Sequence, residues 1–269
     1  MDMVAQAAAG AFSITGEADG PPMRPGPTMG DAGTGAQAAL AVSAAYAQKQ
    51  RTGEGQLIEL SMQEAMTYYM RTAISETGFG QVPTQRSGNG GSPFMSLYPC
   101  APGGPNDYVY IMAVNPRMWN GVCKAIGKPD LLKEPRFENS KKRREHVAEL
   151  FKEITNWTRR HTKREAMEIF AEAGICAGQV NETHDLFTDP HLLERGFIHE
   201  VEHADHGNIK LLGWPARMSK SKVAIQPAPL LGQHTDEVIA SDLGLEQQEI
   251  DTLRDEGAIG REMLDRAQT

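Results

Sequence analysis

A glycine-flanked aspartate directly ahead of a long alanine-rich run is the feature that most constrains this chain. Residues 30–35 read Gly-Asp-Ala-Gly-Thr-Gly, and the run that follows predicts a helix over residues 34–50, closed by a glycine-rich turn at residues 52–55. Asp31 would then lie in a glycine loop at a helix N-terminus, where unpaired backbone N–H groups and the helix dipole favour an ionised carboxylate. The residue is therefore a candidate nucleophile, although an aspartate that only caps the helix would give the same pattern.

Composition limits the class of protein. The 269 residues are 40% hydrophobic and 23% charged, as in an ordinary soluble domain, and no apolar run is long enough to span a membrane. The formal net charge of −8 argues against a nucleic-acid partner. The first residues show no secretory signal, and the three cysteines form no CxxC pair. We therefore expect a cytoplasmic protein without disulfides, without a structural zinc ion and without a membrane or nucleic-acid partner.

The order of predicted elements is that of a mixed α/β protein. Helices are predicted over residues 2–12, 62–76, 119–126, 141–157, 236–243 and 246–254, with a further helix opened by a capping box at Thr162 and Glu165. Strands are predicted over residues 56–60, 94–98, 108–114, 197–202 and 208–212. This pattern predicts an α/β fold that carries a smaller α+β domain.

Two other motifs resemble ligand sites. Residues 33–38 satisfy the dinucleotide-binding pattern G-x-G-x-x-[G/A], but the proline-rich segment before them cannot be the buried strand that this motif needs. We therefore predict that neither NAD nor FAD binds there. His199, His203 and His206 lie around a predicted turn, with no further ligand at a suitable spacing. We predict exposed hairpin histidines and no metal site.

Two further features are predicted to be structural. The basic run at residues 141–144 opens a helix and is expected to be a solvated face. Cys176 precedes a predicted strand, with no base or basic neighbour visible in the sequence, so we expect a buried and unreactive thiol.

The combined pattern resembles the family III CoA transferases, which include formyl-CoA and carnitine CoA transferases. The family's Gly-Asp-x-x-[Ser/Thr]-Gly loop matches Gly30, Asp31, Thr34 and Gly35, and its Arg-Thr-Gly-x-Gly-Gln sequence matches residues 51–56. Later matches are Pro-Arg-Met-Trp at residues 116–119, Asp-Pro-His ahead of Glu-Arg-Gly within residues 189–196, and Pro-Leu-Leu-Gly-Gln-His-Thr-Asp at residues 229–236. The resemblance runs in the family's order from about residue 2 to about residue 257.

The resemblance implies a particular arrangement of domains. Residues 1–79 would form part of a nucleotide-binding-type large domain, residues 80–218 an inserted small α+β domain, and residues 219–269 a return to the large domain. The family has a further segment ahead of the position that matches Met1, and that segment carries most of the contacts to CoA. We therefore expect a split or truncated enzyme, which either forms the family's interlocked homodimer or needs a second chain that supplies the CoA-binding half.

The resemblance also implies a chemistry. Asp31 would attack an acyl-CoA donor, form first an aspartyl–acyl anhydride and then an aspartyl-CoA thioester, and so pass CoA to a carboxylic acid acceptor. Backbone N–H groups near Gly30 and Gly35 would contact the substrate and stabilise the developing oxyanion. Gly90 and Gly91 would belong to a glycine lid that excludes water, although the same residues also fit a flexible domain linker. Coenzyme A is thus expected as a substrate, with no metal ion.

Two alternatives stay open. The same fold family contains α-methylacyl-CoA racemases, in which the matching aspartate works with an upstream histidine. That histidine, or the tyrosine of the transferases, would fall at Met1, which cannot exchange a proton, and Asp2 takes the place of the family aspartate that follows. We therefore favour a transferase over a racemase, and a non-catalytic subunit of the family is the third hypothesis.

Overall fold

The computed structural model describes residues 1–89 and 92–260, and it divides the chain into two compact bodies. The first comprises Met1–Val180 and the second begins at Asn181. Helices and short antiparallel strands both occur in each body, which confirms the predicted mixed composition. In the part of the chain that is described, no helix is both long and apolar enough to cross a membrane.

The first 80 residues of the first body form a helical layer. Its helices are α1 (Asp2–Ala8), α2 (Met29–Thr52), α3 (Met62–Tyr69) and α4 (Arg71–Glu76), with a 3₁₀ helix at Ala11–Ile14. The long helix α2 packs against α1 and α3. Apolar and polar residues are distributed evenly around α2, and Gly30 is the one residue of this helix that is buried. Several large apolar side chains of α2 are therefore exposed, among them Leu40, Val42 and Tyr46.

The hydrophobic core of the first body lies between a sheet and four helices. The antiparallel sheet has the order β1 (Met95–Pro99), β2 (Tyr108–Met112) and β3 (Cys176–Gln179). The helices are α5 (Pro116–Ala125), α6 (Ser140–Glu145), α7 (Val147–Thr158) and α8 (Lys163–Glu172), with 3₁₀ helices at Pro129–Lys133 and Pro135–Phe137. Ile111 of the sheet and Leu150 and Phe170 of the helices belong to one hydrophobic cluster, and all three are fully buried.

Side-chain caps fix the helix starts in this core. The Thr162 hydroxyl accepts the Glu165 N–H at 3.2 Å, and the Glu165 carboxylate accepts the Thr162 N–H at 2.8 Å, which confirms the predicted capping box. The hydrogen bond from that backbone N–H and a second one from the Thr162 hydroxyl hold the pKa of Glu165 below its usual value. Asn115 caps α5 by accepting the Met118 N–H at 2.9 Å.

Four predicted elements differ from the structure. The helix predicted over residues 2–12 ends at Ala8, because Gly10 adopts a left-handed conformation with φ 89°, and a 3₁₀ helix follows at Ala11–Ile14. Residues 56–60 form no strand, because a strand needs a hydrogen-bonded neighbour and none of the described residues provides one. The helices predicted over residues 62–76 and 141–157 are each divided in two, at Met70 and at His146. His146 leaves the helical range, with φ −114° and ψ 29°, and this breaks the second helix.

Arg143 contradicts the prediction that the basic run is a solvated face. It is only 7% exposed, and its guanidinium donates to the carbonyl of Phe137 at 2.9 Å. The guanidinium also lies over the rings of Phe94 and Trp119, 5.5 Å from each centroid. Burial lowers the pKa of Arg143. The prediction was wrong here because a long cationic side chain can pack its stem and planar head against aromatic rings.

Cys176 is exposed, so the prediction of a buried thiol was also wrong. It begins β3, which lies at one edge of the sheet, and alternate residues of this strand point away from the core. Cys100 and Cys123 are the buried thiols of the chain, and burial raises the pKa of Cys100 to about 11 and that of Cys123 to about 12.

The second body contains a hairpin and short helices. The strands are β4 (Ile198–His203) and β5 (Gly207–Leu212), and the helices are α9 (Pro190–Glu194), α10 (Thr235–Leu243) and α11 (Gln247–Asp255), with a 3₁₀ helix at Asp185–Phe187. The predicted hairpin is confirmed, and His203 pairs with Gly207 across it. His206 is exposed in the turn, whereas His199 and His203 are partly buried. The predicted division into a large domain and an inserted small domain stays a prediction.

Candidate active site

Asp31 lies in the first turn of α2 and not in a loop ahead of it. The helix begins at Met29 with Thr28 as its N-cap, so the glycine-rich residues 30–35 are already helical. The Ala32 N–H donates to the Thr28 carbonyl at 3.0 Å and closes the first turn. The predicted loop was therefore wrong, because glycine weakens a helix but does not end one that packs against its neighbours. The placement of Asp31 at the N-terminal end of a helix is confirmed.

Asp2 of α1 reaches across to this end of α2. Its Oδ1 accepts the backbone N–H of Asp31 at 3.0 Å, and its Oδ2 accepts the Nε2 of Gln6 at 2.8 Å. Gln6 is fully buried and also donates to the carbonyl of Pro27 at 3.1 Å. A carboxylate at a helix N-terminus pairs with an otherwise unpaired N–H and interacts favourably with the helix dipole. Asp2 therefore fixes the backbone that carries Asp31.

Gly30 makes this contact between the two helices sterically feasible. A Cβ at Gly30 would lie 2.8 Å from both the carbonyl oxygen and the Oδ1 of Asp2, closer than non-bonded atoms can approach. The absence of a side chain at this position thus allows α1 to contact α2. The structure gives Gly30 a packing role, whatever its role toward a substrate.

The carboxylate of Asp31 points away from the packed helices. Its side chain is 57% exposed, and its Oδ1 lies 3.4 Å from the amino nitrogen of Met1. Residue 1 and residue 31 are therefore neighbours in space, as the resemblance implied. The Asp31 carboxylate is accessible to a substrate, while its backbone is held by Asp2.

The backbone donors around Asp31 are mostly in use. The N–H of Asp31 donates to Asp2, and the N–H groups of Gly33, Thr34 and Gly35 belong to helical hydrogen bonds of α2. Among the described residues, the N–H of Gly30 has no acceptor. Of the donors predicted to stabilise an oxyanion, that of Gly30 thus lacks an acceptor, although Gly30 itself is buried, and that of Gly35 belongs to the helix.

The other glycines predicted to bind the substrate have different surroundings. Gly35 is exposed, and a Cβ there would meet no atom within 4 Å, so the packing of the described residues does not require a glycine. Gly90 and Gly91 lie outside the described residues. On the near side of them, Arg86 is anchored to the loop ahead of α2, donating to the carbonyls of Glu17 at 3.1 Å and Gly20 at 2.6 Å.

Gly33 serves the packing of α3. A Cβ at this position would lie 2.9 Å from Cε2 of Tyr69, and the Tyr69 hydroxyl donates to the Gly33 carbonyl at 3.3 Å. Residues 29–32, directly before this pattern, are helical, and residues 15–28 ahead of them contain no strand. This is the arrangement expected when the dinucleotide-binding pattern occurs by chance.

Sequence analysis did not identify Asp2 as part of this site. It placed Asp2 only by its match to a family position, and the structure adds its hydrogen bond to the Asp31 backbone. One local signal was present, since Asp2 and Gln6 are spaced four residues apart on an otherwise apolar helix. Two polar side chains on one face of such a helix indicate a buried polar contact. No group of three His, Cys, Asp or Glu side chains that could hold a metal ion occurs in residues 1–89 or 92–260.

The sequence match identifies the family to which this fold belongs. Residues 1–235 match CoA-transferase family III, which is most of the chain. The chain belongs to CoA-transferase family III.

Two curated relatives share an activity name and match most of this chain. The formyl-CoA:oxalate CoA-transferases of Streptomyces coelicolor and Streptomyces avermitilis are 33% and 34% identical to this chain, over 274 and 276 residues. Each alignment covers 96% of this chain and 66% of the relative. This chain therefore spans about two thirds of the length of the curated relatives it matches.

Solved structures show the same fold. A CaiB/BaiF family protein from Brucella suis superposes with a TM-score of 0.74 at 23% identity, covering 89% of this chain and 62% of that protein. A Mycobacterium tuberculosis protein superposes with a TM-score of 0.70 at 22% identity, covering 88% of this chain and 62% of that protein. These likenesses confirm the predicted α/β CoA-transferase fold.

Proposed function

We propose that this chain carries the nucleophile of a CoA transferase that moves CoA from an acyl-CoA donor to a carboxylic acid, with Asp31 as that nucleophile. The observation that carries the proposal is the pairing of an accessible carboxylate with a fixed backbone: the Asp31 side chain is 57% exposed, and its N–H is held by the buried Asp2 at 3.0 Å. A nucleophile must be reachable by the thioester and must not move away from it. The family and the names of the curated relatives agree with this activity.

The proposed reaction has four steps on one carboxylate. Asp31 attacks the thioester carbonyl of the donor, which gives an aspartyl–acyl anhydride and releases CoA as a thiolate. The thiolate attacks the aspartyl carbonyl, which frees the donor acid and forms an aspartyl-CoA thioester. The acceptor carboxylate attacks the carbonyl of this thioester, which gives an aspartyl–acceptor anhydride and releases CoA thiolate again. The thiolate then attacks the acceptor carbonyl of the anhydride, which forms the new acyl-CoA and regenerates the Asp31 carboxylate. The covalent route replaces one difficult exchange by several easier ones.

The chain's own groups have separate tasks in this scheme. The N-terminal end of α2 places the Asp31 side chain in the first turn, beside the positive end of the helix dipole. The N–H of Gly30 is the backbone donor in this stretch that can approach an oxyanion. Asp2 positions Asp31 through the backbone. The roles of Gly35, Gly90 and Gly91 in contacting CoA or excluding water stay predictions.

We also propose that activity requires further polypeptide over α2. The exposed fractions of Leu40, Tyr46 and Leu57 are 72%, 63% and 83%, and all three lie on or directly after the helix that carries Asp31. Apolar surface of this extent is a typical mark of an interface. The relatives are longer than this chain, which supports a covering segment that supplies contacts to CoA. Such a segment would come from the same gene product or from a second chain.

Chemical trapping on the complex purified from its own host tests this proposal. After incubation with an acyl-CoA, hydroxylamine converts an aspartyl anhydride or thioester to a hydroxamate, which peptide mass spectrometry locates. We expect the modification at Asp31, and Asp31→Asn should abolish it and lower transfer by at least about a thousandfold. Asp19→Asn, which changes an exposed carboxylate of the preceding loop, should leave both unchanged.

The outcomes separate the alternatives. A modification at another carboxylate, or transfer that survives Asp31→Asn, would sink the proposed mechanism. Exchange of the α-hydrogen of a 2-methylacyl-CoA with solvent deuterium would instead indicate a racemase, although the side chain of Met1, at the position of the racemase histidine, cannot exchange a proton. A complex with neither reaction would be a non-catalytic member of the family. Native mass spectrometry of the same sample shows whether a homodimer or a second chain accompanies the activity.

A further inference from the structure

The second body contains a concave pocket of about 550 Å³ that the transfer chemistry does not use. It lies beside α9 and the start of β4, and the segment after β5 forms the opposite wall. Its volume falls in the range of small-molecule sites. The residues that determine its chemistry are Arg195, Phe197, Trp214, Arg217 and Lys222.

The charge of this pocket has one sign. Arg195, Arg217 and Lys222 line it, and none of the described residues adds a carboxylate to its lining. Within the described ranges, none of these three cations forms an ion pair. This is unusual in a chain whose formal net charge is −8. Three unneutralised cations around one cavity create a positive potential that favours an anion.

A second pocket, in the first body, contains both cations and carboxylates and serves as a comparison. That cavity of about 450 Å³ is lined by Lys128 and Arg136 but also by four carboxylates. Lys128 pairs with Glu153, and Arg136 pairs with both Glu134 and Glu149. Lys128 and Arg136 thus already have their anions within the protein, while Lys152, which also lines this cavity, has no ion pair among the described residues. The pocket of the second body differs because the described residues that line it include cations but no carboxylate that could neutralise them.

Aromatic side chains give the second-body pocket a further property. Trp214 is 54% exposed, in contrast to Trp119 and Trp157, at 4% and 7%. Phe197 lines the same pocket. An exposed indole beside guanidinium groups offers a planar surface for a heterocyclic ring, since bases stack on aromatic side chains.

The hairpin holds the two aromatic residues in place. The Gly213 N–H donates to the Phe197 carbonyl at 2.6 Å, so the residue before Trp214 is bonded to Phe197 directly. A Cβ at Gly213 would lie 2.8 Å from Nε2 of His199, which shows how closely the strand ends approach. Backbone pairing thus fixes the residue directly before Trp214 beside Phe197.

We propose that this pocket binds a nucleotide with at least two phosphate groups. The guanidinium groups of Arg195 and Arg217 match phosphate oxygens in pairs, and Lys222 adds a third positive charge. The base lies against Trp214. Two sources share this chemistry, namely a free nucleoside diphosphate and the nucleotide part of CoA. The site consists only of residues of the second body, and its existence does not depend on Asp31 being a nucleophile.

Tryptophan fluorescence of the full chain tests this proposal with ADP, AMP, inorganic pyrophosphate and CoA as probes. Trp214 is the exposed indole, so saturable quenching reports on this pocket. We expect ADP to bind at least about fivefold more tightly than AMP or pyrophosphate, since each of these lacks one of the two contacts. Trp214→Phe should remove most of the signal, and calorimetry then follows the binding. If ADP binds and CoA binds at least about fivefold more tightly, the nucleotide part of CoA, which carries a third phosphate, is the ligand, whereas binding of CoA with no binding of ADP would overturn the proposal.

Neighbouring lysines offer a matched control. Lys222→Gln should weaken ADP binding at least about fivefold, and Arg217→Gln by a similar factor. Lys220→Gln, which removes the same charge two residues away outside the pocket lining, should change it less than about twofold. Equal losses for Lys220 and Lys222 would mean unspecific attraction and overturn the proposal. So would the absence of saturable binding of both ADP and CoA, or pyrophosphate binding as tight as that of ADP. Circular dichroism of each variant confirms that the hairpin is intact.

Discussion

The two halves of the first body differ in how completely they bury their apolar residues. Between Phe94 and Val180, the described residues enclose a cluster that includes Ile111, Leu150 and Phe170 at 0% exposure. Among residues 1–89, the buried apolar side chains are Ala5, Ala11, Ala65 and Met66, three of them alanines. The later half is therefore stabilised by its own core. The earlier half, which carries Asp31, holds its helices by close backbone approach and polar contacts.

This difference suggests that the helical layer carrying Asp31 needs further polypeptide for its stability. Small residues such as Gly30 and Gly33 let α1 and α3 approach α2, but they bury little area. Because the hydrophobic contribution to stability scales with the apolar area that is buried, this layer gains little from its own contacts. The surface left exposed on α2 is the surface that another segment of a transferase would cover.

The largest expected effect is on a fully buried leucine of the later half. Leu150→Ala should lower the free energy of unfolding by about 3 kcal/mol, because it removes buried methyl groups and leaves a cavity. Leu40→Ala, at a position that is 72% exposed, should change it by about 0.5 kcal/mol or less. Urea unfolding followed by circular dichroism measures both. A similar loss for the two variants would show that α2 is covered in the purified protein and would break the comparison.

Arg143 tests whether the later half depends on a charge inside its core. Arg143→Ala should cost about 2 kcal/mol, because it removes the packing on Phe94 and Trp119 and the hydrogen bond to Phe137. Arg144→Ala, at the exposed neighbour, should stay within about 0.5 kcal/mol. Urea unfolding measures both changes in the free energy of unfolding. Equal changes for the two variants would show that the whole basic run is solvated, as the sequence predicted.

Two glycines of α2 test how tightly the earlier half is packed. Gly30→Ala should cost about 1–3 kcal/mol, because its methyl group would overlap Asp2. Gly35→Ala should stabilise the helix by about 0.5–1 kcal/mol, because nothing lies near and alanine favours the helix. Thermal unfolding of the two variants gives the signs. A destabilising Gly35→Ala would indicate that further polypeptide or a ligand already fills that space.

The smallest effect concerns the thiols. At pH 8, Cys176 alone should react quickly with a disulfide reagent, because Cys100 and Cys123 are buried and their pKa values are raised to about 11 and about 12. Cys176→Ser should remove the fast phase. Since the folded pKa values are raised, the stability that these two thiols confer is present below about pH 9 and is lost as the pH rises toward those values. Fast reaction of two thiols would show that the core of the later half opens.

Local chemistry explains which predictions succeeded. The capping box at Thr162 and Glu165 and both hairpins rest on residues close together in the chain, and the structure reproduces them. The strand at residues 56–60 failed because it depends on a neighbour that these residues cannot supply themselves. Arg143 and Cys176 failed for a related reason, since burial is a property of what packs against a residue and not of its neighbours in sequence.

The sequence by itself determined the family, the nucleophile candidate and most of the helices and hairpins, because motif spacing, capping residues and hydrophobic period are all written along the chain. Only the tertiary structure decided that Asp2 holds the backbone of Asp31, that Gly30 permits this contact, and that three cations meet around Trp214. These features join residues that are far apart in sequence. They depend on distances of about 3 Å, which arise only when the elements have packed.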